Sequence, residues 1–379
     1  MENSKKSFRA KLSSCAKYFF HNTPKASLVF FVLAILAFVI RIVCRSSQSF
    51  SDFFVRYIAG PVRFVLAKIS SVIPISLAEI LIWLLPFVIA LVLFLAVRYS
   101  REKRSAFRYA MTLLSIAALV YFLFVFTLAS GYHTSTVARD FDIERKDVTA
   151  LELKQTAEWL VENANKYSAE FANQGNKASE MPFSWSGLND NLNASYKKLN
   201  AEYDFIFNFS TRTKPVLISS LMSYTGILGV YSFFTGEANV NTAYPDYTTV
   251  FTAAHEMAHQ RGIAREDEAN FVAFMVCIKS DNAYLNYCGY VNAYEYVMNA
   301  LKNENADYYA EVKSKCDANV KKEMGAYAET YYKYDDNPVS DVTDTINNTY
   351  LEIQGTEGTK SYGMVVDLAV AYYKSISER

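Results

Sequence analysis

Three apolar runs within the first 130 residues constrain this chain more than any other feature. They extend over 26–44, 74–97 and 110–130, the second reading PISLAEILIWLLPFVIALVLFLAV and the third AMTLLSIAALVYFLFVFTLAS. As helices rising about 1.5 Å per residue, each can cross a hydrocarbon layer about 30 Å thick. A backbone in lipid must satisfy its own hydrogen bonds, so each run is expected to be helical. A basic start before an apolar stretch also describes a cleavable leader, but two further runs argue for a multi-pass membrane region. Lys5, Lys6, Arg9, Lys11, Lys17 and Lys25 precede the first run, and Arg98, Arg101, Lys103, Arg104 and Arg108 fill the gap between the second and third. Basic loops stay in the cytoplasm, so the tail 1–25 is expected inside and everything after residue 130 outside.

The connection at about 46–73 contains SDFFVRYIAGPVRFVLAKI, in which aromatic and aliphatic residues alternate with Arg56, Arg63 and Lys68. Two readings fit it equally: a segment lying along the outer membrane interface, or an amphipathic helix docked on the rest of the chain. Glu79, near one end of the second run, is expected to be hydrated at the interface.

Residues 131–379 have the mixed composition of a water-exposed domain. The whole chain balances 38 basic against 38 acidic residues, so no basic excess points to a nucleic-acid partner. Helical periodicity marks 147–166, 189–203, 292–302, 307–332 and 363–376, and a Gly, Asn and Ser-rich loop occupies 168–187. The stretch 216–241 begins as a short helix and ends as one or two strands, since Val230–Phe234 is β-prone and Gly226 and Gly229 punctuate it. The expected fold class is an α-helical membrane region of three spanning helices (26–130) followed by a mainly α, α+β domain with a small sheet.

Within that domain, 251–274 reads FTAAHEMAHQRGIAREDEANFVAF and contains His255, Glu256 and His259 as H-E-x-x-H. On a helix, residues i and i+4 share a face, so both imidazoles can reach one metal ion. Glu256, directly after the first histidine, is placed to take a proton from a water held there, the general-base role in metal-assisted hydrolysis. The segment is too polar to cross a bilayer, which excludes cleavage inside the membrane. A hydrolytic zinc site needs a third protein ligand and one open position. The only other histidines are His21 and His133, so a carboxylate is expected. Gly262 can end the first helix, and a second helix then opens with Glu266 and Glu268. Glu266 is favoured as the metal ligand, because it places Asn270 one turn further along the same face as a partner for a ligand; Glu268 is the alternative.

These segments carry a resemblance. The sequences LMSYTG (221–226), FTGEANVN (234–241), TAAHEMAHQRGIAREDEANF (252–271), PISLAEI (74–80) and KSYGM (360–364) are similar to those of bacterial membrane proteins catalogued as domain of unknown function 3810 and described as zinc-dependent peptidase-like. The resemblance covers nearly the whole chain. It implies a bacterial plasma-membrane protein with an extracytoplasmic, zincin-like domain at 131–379, and it brings no substrate with it. The E-D-E-A-N segment also looks like the stretch after H-E-x-x-H in gluzincins, where the first glutamate is the third zinc ligand. Two departures stand beside this: Glu266 follows His259 more closely than in gluzincins, and position 265, where metzincins place a histidine, is arginine here.

The expected chemistry is peptide-bond hydrolysis with Zn2+ held by His255, His259 and Glu266, the substrate being a peptide or protein. Glu237, Ala238 and Asn239 are expected in an edge strand that pairs with an extended substrate. Tyr224 and Tyr362 are candidate donors to a developing oxyanion. The nonenzymatic alternative is a zinc-stabilised receptor or scaffold that binds envelope peptides without cutting them.

Overall fold

The computed structural model describes residues 13–171, 178–335 and 337–378 of the chain. Among the described residues, three helices are long and apolar enough to cross a membrane: α1 (Lys25–Ser46), α3 (Leu77–Tyr99) and α4 (Lys103–Thr127). α1 and α4 run parallel, since Ser115 Oγ donates to Ser27 Oγ at 2.9 Å near one end, while Cys44 and Phe126 share an apolar cluster near the other. α3 runs antiparallel to α4, where the Tyr109 hydroxyl donates to the Val92 carbonyl. The ends at Ser46, Leu77 and Thr127 therefore lie together, on the side where the rest of the chain is attached. α4 begins seven residues before the expected run, because Lys103, Arg104 and Arg108 carry their charges on long stems and continue the helix toward water.

Between α1 and α3 the chain forms a short helix at Gln48–Phe53, a π-turn at Phe54–Ala59 and α2 (Gly60–Ser71). One face of this segment is docked on the rest of the chain. Buried Arg63 donates to the Val55 carbonyl at 2.7 Å and the Arg261 carbonyl at 3.2 Å, and a methyl at Gly60 would collide with the Phe207 ring. Val65, Ile69 and Val72 on the opposite face stay open.

The remainder is mainly helical: α5 (Ala150–Phe171), α6 (Trp185–Tyr203), α7 (Asp246–Gln260), α8 (Glu266–Ile278), α9 (Ala283–Glu304), α10 (Ala306–Lys315), α11 (Ala318–Tyr334), α12 (Pro338–Gln354) and α13 (Val365–Ser377). The expected 307–332 helix is two, broken at Cys316 and Asp317. α12 falls where no helix was expected, although its capping signals are in the sequence. The Asn337 side chain accepts from the Val339 and Ser340 N–H groups, Pro338 opens the first turn, and Gly355 closes the helix at φ 92°.

The sheet has three short strands, β1 (Thr213–Pro215), β2 (Gly229–Ser232) and β3 (Glu237–Val240), in the order β1-β3-β2. β1 pairs parallel with β3, and β2 pairs antiparallel with it, matching Gly229 to Val240 and Ser232 to Glu237. α7 is buried from Tyr247 to its end, between this sheet on one side and α8 and α9 on the other. Its sequence is built for that position: Ala253, Ala254 and Ala258 allow close approach, and Val250 and Met257 fill the core.

Candidate metal centre

α7 carries His255 and His259 on one face, and Gly262 turns the chain back at φ 104°. The turn is closed by Gly262 N–H donating to the His259 carbonyl at 2.9 Å and Ile263 N–H to the Ala258 carbonyl at 3.1 Å. Glycine is required there twice: for its left-handed backbone, and because a methyl would overlap the Arg63 guanidinium and the Val55 side chain. The following α8 brings Glu266 Oε2 to 3.2 Å from His255 Nε2 and 3.3 Å from His259 Nε2. The three donor atoms lie within 4.8 Å of one another, and all three residues are buried.

The two rings are held from behind. His255 Nδ1 lies 2.7 Å from Asn270 Oδ1, and His259 Nδ1 lies 2.7 Å from the Ile263 carbonyl. Both partners are acceptors, so each Nδ1 carries a proton and, in the neutral ring, Nε2 holds the lone pair on the side turned toward Glu266. This is the tautomer that a metal ion requires. Burial disfavours charge on His259, yet the Glu266 carboxylate beside it raises that imidazole to about 9. Burial would raise Glu266, but His259 and His255 hold it well below the usual carboxylate range. Among the described residues Glu266 has no lysine or arginine partner, so a cation between the rings would supply the charge balance that the imidazoles otherwise provide. Two imidazole nitrogens and one carboxylate oxygen suit zinc.

Glu256 is 4% exposed, and its Oε2 has no hydrogen-bond partner among the described residues. Burial pushes its carboxyl up to about 7, with His255 and His259 pulling the other way. A methyl at Gly229 would stand 2.6 Å from Glu256 Oε1 and 2.7 Å from Thr252 Cγ2, so the bare backbone of β2 is what gives the carboxylate its place. A cavity of about 650 Å³ opens in front of Glu256, with His255, His259, Glu266 and the 225–231 segment in its lining.

The structure separates the two candidate carboxylates. Glu268 faces away from the histidines: its Oε1 accepts from Arg265 at 2.7 Å and from the Val137 N–H at 3.1 Å. Asn270 lies beside His255 as described. The strand expectation needs correction. Glu237, Ala238 and Asn239 belong to the central strand β3, whose two edges are already paired, so they have no backbone edge to offer a substrate. Glu237 is instead held by Lys214, by the Leu77 and Ala78 N–H groups at 3.1 and 3.0 Å and by Thr235. The outer strands are β1, whose Thr213 carbonyl and N–H are taken by the Trp185 and Asn189 side chains, and β2. Asn241 N–H bonds the Leu228 carbonyl, and by antiparallel alternation the backbone groups of Gly229 and Tyr231 point away from β3.

Tyr224 is also corrected: its half-exposed ring packs on Tyr334 at 5.1 Å, outside the cavity lining. The side chain of Tyr362 lies outside the described residues. The tyrosines that do line the cavity are Tyr132, Tyr231, Tyr296 and Tyr350. Tyr296 bonds Asn270, and the Tyr350 hydroxyl lies 3.2 Å from that of Tyr132. Nothing in the local sequence around Tyr296 or Tyr350 marks either. Gly229 could have been found, because a glycine in a β-prone run signals close backbone approach.

No curated protein and no solved structure matches the chain. A family model described as a protein of unknown function, DUF3810, matches residues 50–370. The match covers the 46–73 connection from residue 50, two of the three long apolar helices and the whole stretch from His255 to Asn270, and the chain belongs to that family.

Proposed function

We propose that this protein is a membrane-anchored, zinc-dependent peptidase whose cleft lies on the extracytoplasmic side. The observation that carries the reading is Glu256: a buried carboxylate with one oxygen unpartnered, beside two histidines and a glutamate whose donor atoms converge. A buried receptor site without chemistry has no use for such a group, since an unpaired buried oxygen is costly. His255, His259 and Glu266 would hold the ion, and Asn270 and the Ile263 carbonyl fix the ring orientations. A zinc ion bound there supplies Lewis-acid polarisation of a carbonyl and acidification of water.

Glu256 takes the proton from the attacking water at its free Oε2 and passes it to the leaving amine. Tyr231 N–H is taken by the Glu256 carboxylate, which leaves the outward N–H and C=O of Gly229 and the C=O of Tyr231 for an extended substrate to lie against. Tyr296 and Tyr350 are the phenols placed to donate to developing negative charge. The basic residues flanking the apolar helices support an inside N-terminus and an outside cleft.

The test is elemental analysis of the purified full chain, followed by incubation of the zinc-loaded protein with a mixed peptide pool and detection of new termini. One zinc per chain, lost in His259→Ala and Glu266→Ala and kept in Glu268→Gln, is expected, with cleavage abolished in Glu256→Gln. Absence of bound zinc, or equal behaviour of wild type and Glu256→Gln toward peptides, would turn the reading to a scaffold.

A further inference from the structure

The cavity in front of Glu256 is walled by the membrane region. Phe124 and Leu128 line it from the last turn of α4 and the residue after it, and Tyr132 follows from the 3₁₀ turn directly beyond. The facing wall is α12, which supplies Thr343, Ile346 and Tyr350. α12 is fastened at both ends to the level where the apolar helices stop. Near its C-terminal end, Arg41 of α1 donates to Gln354 at 3.3 Å, and the Tyr350 ring stands edge-on to Phe124 at 6.1 Å. At its N-terminal end, Asn337 donates to the Tyr224 carbonyl at 3.1 Å. Tyr224 follows the 217–223 segment, whose start is itself fixed to α3: Glu79, in the first turn of that helix, accepts from Leu217 N–H at 2.9 Å and Ile218 N–H at 3.0 Å. α12 therefore lies across the ends of the three apolar helices, close to the plane of the membrane boundary.

The surfaces at this level are apolar and open. Val339, Val342, Ile346 and Ile353 form a stripe along α12 at helical spacing, and each is more than half exposed. Leu217 and Leu221, in the segment fixed by Glu79, are equally bare. An apolar stripe of this extent facing water is unusual in a soluble surface. Here it continues the apolar surface of the helices to which α12 is tied, and a bilayer is the occupant whose chemistry matches it. Ile346 belongs both to the stripe and to the cavity lining. The mouth of the cavity is thus partly framed by this apolar stripe.

We infer that the substrate is a polypeptide held in the same bilayer by a hydrophobic anchor, and that the protein cuts the segment just outside that anchor. This rests on the peptidase reading above. A chain leaving the membrane beside α4 enters between Phe124 and Ile346 and meets Glu256 within one cavity's length, whereas a free peptide must reach an apolar mouth already occupied by lipid. The anchor can be a transmembrane helix or an acyl chain, since both present a peptide at the same height.

Two measurements test this on the full chain in nanodiscs. Nitroxide labels at Val342→Cys and Ile353→Cys should be relaxed by oxygen, which concentrates in lipid, more than by a water-soluble nickel chelate; the reverse order overturns the seating of α12 and with it the inference. Zinc-loaded protein would then be given one randomised ten-residue pool in three forms: free, palmitoylated, and fused to a polyleucine helix, with Glu256→Gln as the blank. Confinement to the same membrane raises the effective concentration, so cleavage of at least one anchored form at ~10-fold or more above the free pool is expected. Preference for the helix-fused or the palmitoylated pool identifies the anchor. Equal cleavage of free and anchored pools overturns the inference and leaves the peptidase reading standing. No cleavage of any pool beyond the blank overturns both, while the nitroxide result still reports where α12 lies.

Discussion

Glu237 and Glu256 are buried carboxylates on adjoining pieces of the same core, one on the central strand and one on the helix packed against it, and the fold treats them in opposite ways. Glu237 is saturated: Lys214, two N–H groups at the start of α3 and the Thr235 hydroxyl all converge on it. Lys214 in turn donates to the Ser70 and Ile75 carbonyls, so one ion pair joins the sheet to the connection between α2 and α3. Glu256 keeps one oxygen without a partner and faces a cavity. A saturated buried charge holds elements together, and an unsaturated one is available for chemistry. Glu295 is an intermediate case, a half-buried carboxyl bonded by the Tyr247 hydroxyl at 3.0 and 3.2 Å.

The sharpest test of this contrast is a pair of substitutions. Glu256→Gln should lower peptide cleavage by about 10²–10⁴-fold, the usual worth of a general base, with zinc content and thermal stability retained. Glu237→Ala should leave Lys214 buried without its counter-charge and cost about 3–5 kcal/mol in denaturant unfolding of the detergent-solubilised chain. If the stability loss appeared in Glu256→Gln instead, the roles assigned to the two groups would be reversed. Gly229→Ala should push the Glu256 carboxylate aside and reduce cleavage by about 10²-fold without loss of zinc, because small misplacements of a reacting group are expensive. Asn270→Ala should weaken zinc binding by about 10–100-fold in competition with a chelator; an unchanged affinity would remove Asn270 from the site.

The smallest effect concerns Glu295. Burial raises its carboxyl to about 8 from an ordinary 4.5, so the folded chain binds a proton that the unfolded chain releases. Its contribution to stability is full below pH 4.5 and declines as pH rises to about 8. Glu295→Gln should therefore flatten the fall in melting temperature between about pH 5 and 8, and a slope equal to that of wild type would exclude this group as its source.

Much of the site could be read along the chain because its geometry is local. The H-E-x-x-H spacing and the glycine after it specify a helix face and a reversal within a dozen residues. Glu266 and Glu268 illustrate where local reading stops. Two residues apart on a helix they point about 200° apart, and only the packing of α8 on α7 decides which of them meets the histidines. The edge-strand expectation failed for a related reason. β3 became central by pairing with Thr213–Pro215, a three-residue strand some two dozen positions earlier that has no pattern of its own.

By itself, then, the sequence determined the three apolar helices, the paired histidines with their adjacent glutamate, and the turn that allows a second helix to return to them. All of these follow from periodicity and backbone preference over short stretches. The tertiary structure alone decided that Glu237 is a joint and Glu256 is not, that β3 is central and β2 an outer strand, and that α12 lies across the ends of the apolar helices to wall the cavity. Those outcomes depend on which distant groups compensate one another's burial, and burial is a property of the assembled fold.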